Sequence, residues 1–124
     1  MYETGLTNPM IGARFKTLGM TIDDEIYADS AEPKSIQELS DLGWYVLPAE
    51  KGPDSVRAGI NMLLEKEVCY TETSINLARE SREYRWALDK NKEPTNSPED
   101  KNNHAIDALR YGVFTKSREA YIGF

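Results

Sequence analysis

The chain lacks most features of an exported, membrane-bound or disulfide-linked protein. It has a single cysteine, Cys69, so no disulfide can form within the chain. Because Cys69 lies in the β-rich run 68–70, we expect a small buried side chain rather than a nucleophile. No apolar run approaches the roughly 20 residues of a membrane span, and the start lacks the basic-then-apolar pattern of a secretory signal. These absences predict a cytoplasmic protein with no membrane partner.

Positive charge is also scarce. The 124 residues include 15 Lys and Arg against 21 Asp and Glu, which gives a net charge of −6. Proteins that hold nucleic acid through its phosphates usually display a basic surface. Either the partner is not nucleic acid, or the basic surface lies on a part of the protein outside this sequence. A cluster of carboxylates that binds Mg²⁺ or Mn²⁺ would also make the domain acidic.

What the sequence does contain is an alternation of helical and strand patterns in one domain-sized chain. With 40% hydrophobic and 29% charged residues, it reads as globular. Apolar residues at helical spacing alternate with short β-rich runs, which predicts an α/β fold with a mostly parallel sheet flanked by helices. The predicted helices are Asn8–Leu18, Ser35–Leu42, a segment from Ser55, Ile75–Leu88 and Asn103–Lys116. The predicted strands are Glu25–Asp29, Trp44–Leu47 and Glu67–Thr71, and Asp89–Lys101 is predicted as a loop.

The most informative segment reads NNHAIDALRY, residues 102–111. It sets His104 and Asp107 three residues apart on the last predicted helix, and residues at this spacing share one helix face. Another carboxylate, Asp29, ends the first predicted strand in ADSAEPKS, residues 28–35. An imidazole and a carboxylate that project together can hold a divalent metal. The core face of this helix is predicted to be Ile106, Leu109 and Val113, with His104, Asp107 and Tyr111 on its other side.

Three segments together resemble the C-terminal nuclease domain of phage terminase large subunits. They are ADSAEPKS (28–35), LPAEKGPDSVRAGI (47–60) and EDKNNHAIDALRY (99–111), and the likeness runs from Tyr2 to Phe114. The resemblance implies an RNase H-like fold in which acidic residues bind two divalent ions, Mg²⁺ or Mn²⁺. Carried over by motif, Asp29 and Asp107 are implied as catalytic metal ligands. His104 is implied as a catalytic residue beside the metal, either as a direct ligand or in support of one, and Asp100 is a weaker candidate ligand.

The same resemblance implies a metal-dependent endonuclease that cuts concatemeric DNA during genome packaging in a bacterial host cell. Its implied partners are double-stranded DNA and, in the full-length protein, the portal and the small terminase subunit. In this family the first metal-binding Asp lies on an opening strand, which would precede Tyr2. We therefore expect residues 1–124 to be one partial domain that lacks the first strands of the fold and cleaves weakly or not at all alone. The strand around Ile26 would then expose a sheet edge and favour self-association. The phosphate-binding loop of an ATPase, G-x-x-x-x-G-K-[ST], does not occur.

Two other interpretations stay open at the level of sequence. The chain could be an inactive remnant of the same fold that acts at most as an interaction module. It could also be a phosphate-binding α/β domain with its anion at the helix start formed by Asp54 and Ser55. Weaker candidates for contact with DNA are Lys51, before that helix, and the basic stripe of Arg79, Arg82 and Arg85.

Overall fold

The structure, a computed structural model, describes residues 1–52 and 54–122, with side chains up to residue 118. The chain divides into two compact units, Met1–Lys51 and a second that begins at Gly52. The prediction that the chain forms one partial domain stays a prediction. The first unit contains α1 (Asn8–Thr17), β1 (Ile26–Ala28), α2 (Pro33–Asp41) and β2 (Val46–Pro48). The second contains α3 (Ser55–Leu64), α4 (Ile75–Glu83), β3 (Trp86–Leu88), β4 (Pro94–Pro98) and α5 (His104–Ile122).

The core of the first unit is built around Trp44. Its ring meets that of Phe15 edge-on, with centroids 5.2 Å apart, and Leu39 and Val46 complete the buried cluster. Gly12 brings α1 close to the indole, because a Cβ there would lie 3.0 Å from the Trp44 ring nitrogen. Trp44 is therefore a packing residue of this core.

The two strands of this unit are parallel and in simple register. Ile26 lies opposite Val46, and Ala28 lies opposite Pro48. A further hydrogen bond of 2.7 Å from the Ala49 amide to the Ala28 carbonyl extends the pairing by one residue. Since parallel strands end at the same edge of a sheet, the residues that follow both strands are neighbours. The predicted strand Glu25–Asp29 is shorter by one residue at each end, and Asp29 directly follows β1.

In the second unit, α5 packs against α3 and α4. Its buried side chains are Ile106, Arg110, Phe114 and Thr115, whereas the predicted core residues Leu109 and Val113 are only half-buried. The difference arises at Gly59 of α3, where a Cβ would lie 2.6 Å from Cγ of Arg110. The missing side chain makes room for the aliphatic part of Arg110, which takes a place that hydrophobicity alone would assign to leucine.

Two sequence predictions in the second unit are wrong. Residues 67–71 form no strand, and Cys69, predicted to be buried, is exposed. The helix predicted to reach Leu88 ends at Glu83, and Trp86–Leu88 instead pairs antiparallel with Pro94–Pro98. A turn makes this hairpin possible, because the Asp89 carboxylate accepts hydrogen bonds from the amides of Asn91 (2.8 Å) and Glu93 (3.0 Å).

The sheet is smaller and less parallel than expected. The described strands form one parallel pair, β1 with β2, and one antiparallel pair, β3 with β4. The helix predicted from Ser35 begins two residues earlier, at Pro33, since proline is well suited to the first turn of a helix. In the described part of the chain, no helix is long and apolar enough to cross a membrane.

Candidate metal centre

Asp29 lies where β1 ends, and its carboxylate organises the turn into α2. Oδ1 accepts a hydrogen bond of 3.0 Å from the Ala31 amide, and the Asp29 carbonyl accepts another of 3.1 Å from the Glu32 amide. The ammonium group of Lys51 bonds to the same Oδ1. With 42% of its side chain exposed, Asp29 can still be reached from solvent. Lys51, predicted as a contact for DNA, is therefore the ion-pair partner of a predicted metal ligand.

His104 and Asp107 lie in the first turn of α5. His104 is the first residue of the helix and is exposed, whereas Asp107 is half-buried, with 28% of its side chain accessible. A carboxylate in the first turn is favoured by the positive end of the helix dipole. The prediction that this segment is helical is confirmed. Because His104 and Asp107 are three residues apart, they lie on one face of the helix.

Glu80 fixes the start of this helix, and sequence analysis missed it. Its side chain is fully buried, and Oε1 accepts hydrogen bonds from the amides of Ala105 (2.8 Å) and Ile106 (3.1 Å). The carboxylate thus caps α5 from a different helix and satisfies two amides that have no partner within α5. A signal was present in the sequence, because Glu80 lies three residues after Leu77 and four before Tyr84, a spacing that sets all three on one face of the predicted helix. A charged residue on an inner stripe indicates a buried polar contact.

Arg110 is the second residue that sequence analysis missed. Its Nη2 lies 3.4 Å from Oδ1 of Asp107, and only 7% of its side chain is exposed. The pair is spaced i, i+3 on α5, so the motif itself contained the signal. The contact is long for a charge-assisted hydrogen bond, which is usually about 2.7–2.9 Å. Arg110 therefore balances the charge of Asp107 only in part.

Asp107 is a half-buried carboxylate whose negative charge is only partly balanced by nearby positive groups. Burial raises its pKa above the ordinary range, and the Glu80 charge raises it further, while Arg110 and His104 act in the opposite direction. The pKa of Tyr84 is raised first by burial and then by the charge of Asp107. Because a further positive charge would favour the ionised carboxylate, the surroundings of Asp107 are suited to a bound cation.

The other predicted site residues are Asp100 and three arginines, and they do not all lie on the same element. Asp100 is exposed in the loop before α5. Arg79 and Arg82 are exposed on α4, whereas Arg85 lies beyond its end and pairs with Glu99, at 2.9 Å. The basic stripe predicted on one helix therefore does not lie wholly on it, because Arg85 belongs to the link between α4 and β3.

The alternative anion site at the start of α3 finds little support. Asp54 precedes the helix in a left-handed conformation and makes no capping hydrogen bond through its side chain. Its negative charge at the helix start opposes the binding of a phosphate.

The predicted site residues carry oxygen and nitrogen donors of the kind that hard divalent cations bind. Carboxylate oxygens are the preferred ligands of Mg²⁺ and Mn²⁺. Asp29 belongs to the first unit, and Asp107 and His104 belong to the second. In the part of the chain that the structure describes, no three His, Cys, Asp or Glu side chains gather into a metal-binding group.

Comparison with known proteins identifies the family. A family model described as a terminase RNase H-like domain matches residues 19–114. The chain belongs to this terminase family. The terminase domain described here is 42% identical over 90 residues to the large terminase subunit of Bacillus phage SPP1, a match that covers 69% of this chain and 21% of that protein. The chain therefore spans about a fifth of the length of the curated relative.

A solved structure gives the same answer for the fold. The terminase domain matches the nuclease domain of the large terminase from bacteriophage SPP1, a crystal structure with bound Mn, with a TM-score of 0.81 and 31% identity. The match covers 94% of this chain and 67% of the other. The RNase H-like fold predicted from the sequence motifs is confirmed, as is the membership of the terminase family.

Proposed function

We propose that this terminase domain is a metal-dependent endonuclease that cuts concatemeric double-stranded DNA during genome packaging. The observation that carries the proposal is its likeness, over 94% of the chain, to a phage terminase nuclease domain solved with bound Mn. Identity of 42% to a phage large terminase subunit supports the packaging context. The acidic net charge of −6 agrees with a domain that binds cations through carboxylates.

In this proposal, Asp29 and Asp107 are the metal ligands that this chain supplies, with His104 beside them and Asp100 as a further candidate. Two divalent ions, when bound, would activate water and stabilise the leaving oxygen of a phosphodiester. The chain holds its ligands on well-defined backbone. The Ala31 amide orients the Asp29 carboxylate, and Glu80 fixes the turn that carries Asp107. Such support is what a site with narrow geometric tolerance needs.

The proposed partners follow from the packaging role. They are double-stranded DNA and, in the full-length protein, the portal and the small terminase subunit, and the reaction takes place in the cytoplasm of a bacterial host. The predicted DNA contacts, Lys51, Arg79, Arg82 and Arg85, remain part of this proposal. The proposed cofactor is Mg²⁺ or Mn²⁺, with two ions in the complete domain.

We also propose that the chain self-associates through β1. Within the described residues, β1 pairs with β2 alone, and an unpaired strand edge recruits other chains. Light scattering at rising protein concentration should show association. A mass that stays monomeric at high concentration would remove this part of the proposal.

Metal binding and DNA nicking test the function together. Calorimetric titration with Mn²⁺, and nicking of supercoiled plasmid, are measured for the wild type and for Asp29→Asn and Asp107→Asn. Asp23→Asn is the matched control, because Asp23 is an exposed carboxylate away from both motifs. Each ligand variant should lose affinity for Mn²⁺ and any nicking activity, while the control keeps both. Wild-type protein that binds no Mn²⁺, or ligand variants that bind as the wild type does, would contradict the assignment.

A further inference from the structure

A polar cleft opens beside the start of α5. Its volume is about 410 Å³, which is ample for one phosphate with part of its sugar. Three of its lining residues are cationic and one is acidic. The lining consists of Arg82, Glu83, Tyr84, Arg85, Lys101 and Asn102. On a chain of net charge −6, a cleft lined in this way is a local positive site.

Two carboxylates, Glu83 and Glu99, stand against the three cations of the cleft, which leaves one net positive charge. Glu99 pairs with Nε of Arg85 at 2.9 Å and with Nζ of Lys101 at 3.6 Å. These contacts hold both cations beside the cleft, and the bond to Nε leaves the terminal nitrogens of Arg85 for a ligand. Glu83 accepts a hydrogen bond of 2.8 Å from Asn102.

Of the three cationic side chains in the cleft, Arg82 is the one whose charge is least balanced by acidic groups. It is exposed on α4 and forms no ion pair with any described residue. A guanidinium presents several N–H donors in a planar fork that matches the oxygens of a phosphate. An arginine in this state, in a concave site, is suited to bind a phosphate rather than to stabilise the fold.

Tyr84 connects the cleft with the predicted metal ligand on α5. It forms part of the cleft wall, and it lies near enough to Asp107 for that charge to raise its pKa. Asn102, also in the wall, precedes Asp107 by five residues, so the chain allows at most about 17 Å between their Cα atoms. Since phosphates of one DNA strand repeat every ~3.4 Å along the helix axis, the cleft lies within about five nucleotides of Asp107.

We propose that this cleft binds a backbone phosphate of the DNA strand, through Arg82, Arg85 and Lys101. The inference rests on the proposed nuclease function and adds to it the place where the substrate is held near Asp107. Contacts with phosphate position a nucleic acid without reading its sequence. Glu99 is then a positioning residue that orients two of the cations.

DNA binding without divalent metal tests the proposal separately from catalysis. Fluorescence anisotropy with a labelled 20-base-pair duplex is measured at several salt concentrations for the wild type, Arg82→Gln and Lys101→Gln. Arg57→Gln is the matched control, because Arg57 is an exposed arginine on α3 that does not line the cleft. Each cleft variant should bind about three- to tenfold more weakly, with a salt slope lower by about one phosphate contact. The control should change by less than about twofold.

Three outcomes would overturn the inference. The first is an equal loss of affinity for the duplex in the cleft and control variants. The second is a wild-type protein that binds no duplex, and the third is a cleft that binds inorganic phosphate but not the duplex. The last is followed through the Arg82 and Arg85 side-chain N–H resonances in NMR spectra, with inorganic phosphate and then with duplex. None of these outcomes affects Mn²⁺ binding by Asp29 and Asp107, so failure of the cleft and failure of the nuclease assignment are distinguishable. Thermal unfolding of each variant confirms that the exposed substitutions leave the fold intact.

Discussion

The carboxylate of Glu80 accepts a hydrogen bond of 2.8 Å from the amide of Ala105. This bond joins α4 to the first turn of α5, where His104 and Asp107 lie. A second bond, to the Ile106 amide at 3.1 Å, fixes the direction of the helix start. A fully buried carboxylate is costly unless it is well hydrogen-bonded. The structure uses that group to hold the turn that presents a predicted metal ligand.

Loss of this cap should destabilise the fold strongly. Glu80→Ala would leave the two amides buried without a partner and open a cavity, so we expect the free energy of unfolding to fall by at least about 2 kcal/mol. Glu80→Gln keeps an acceptor oxygen in place and should cost less than half as much. Urea unfolding measures both. Similar stability of the alanine variant and the wild type would show that the bonds to α5 contribute little.

Gly59 should not tolerate a side chain. In Gly59→Ala the new methyl group would meet Cγ of Arg110 at 2.6 Å and displace the contact with Asp107, with an expected loss of about 1–3 kcal/mol. Gly112→Ala is the natural control, because a Cβ there meets no atom of the described residues within 4 Å and alanine favours a helix by roughly 0.5–1 kcal/mol. The melting temperature should therefore fall in Gly59→Ala and rise in Gly112→Ala. A shift of equal sign in both variants would refute the packing argument.

The pH dependence of stability should carry the signature of Asp107. Burial raises the pKa of this carboxyl in the folded protein, so the folded state binds its proton more tightly than the unfolded chain does. The stabilising contribution is present below the unfolded pKa of about 3.9 and is lost as pH rises through the raised folded value. Asp107→Asn removes this term. Relative to the wild type, the melting temperature of Asp107→Asn should therefore be more favourable at pH 7 than at pH 3. The same relative melting temperature at both pH values, or a more favourable one at pH 3, would contradict the argument.

Lys51 should compete with a metal ion for Asp29. Both cations would use Oδ1, where the Lys51 ammonium now bonds. In Lys51→Met that competitor is gone, so Mn²⁺ should bind several-fold more tightly in a calorimetric titration. Because the side chains are 39% and 42% exposed, the lost ion pair should change stability by no more than about 1 kcal/mol. Weaker Mn²⁺ binding would instead mean that Lys51 orients the carboxylate.

Helices with a clear apolar face were predictable from the sequence, and short strands were not. The pattern of Ile11, Phe15 and Leu18 gave α1 to within one residue. Residues 67–71 have strand composition but pair with no described strand, because β propensity depends on a partner that composition does not reveal. The hairpin after α4 was missed because its turn at Asp89 lies inside a polar segment that was interpreted as loop.

The residues of the candidate site that belong to sequence motifs were predictable, whereas the contacts that support them through packing were not. The motifs correctly placed Asp29 at a strand end and Asp107 in the first turn of a helix. The bonds of Glu80 to α5 connect residues more than 20 positions apart, and such contacts cannot be derived from local spacing. The pairing of Lys51 with Asp29 likewise follows from the parallel strands, whose ends meet at one edge.

The most direct test of the account is a crystal of this protein soaked in Mn²⁺ and measured by anomalous scattering. The account predicts a peak within about 2.0–2.4 Å of carboxylate oxygens from both Asp29 and Asp107. A map with no peak near either residue, and with the two carboxylates directed to different sides of the molecule, would contradict the metal-dependent nuclease assignment.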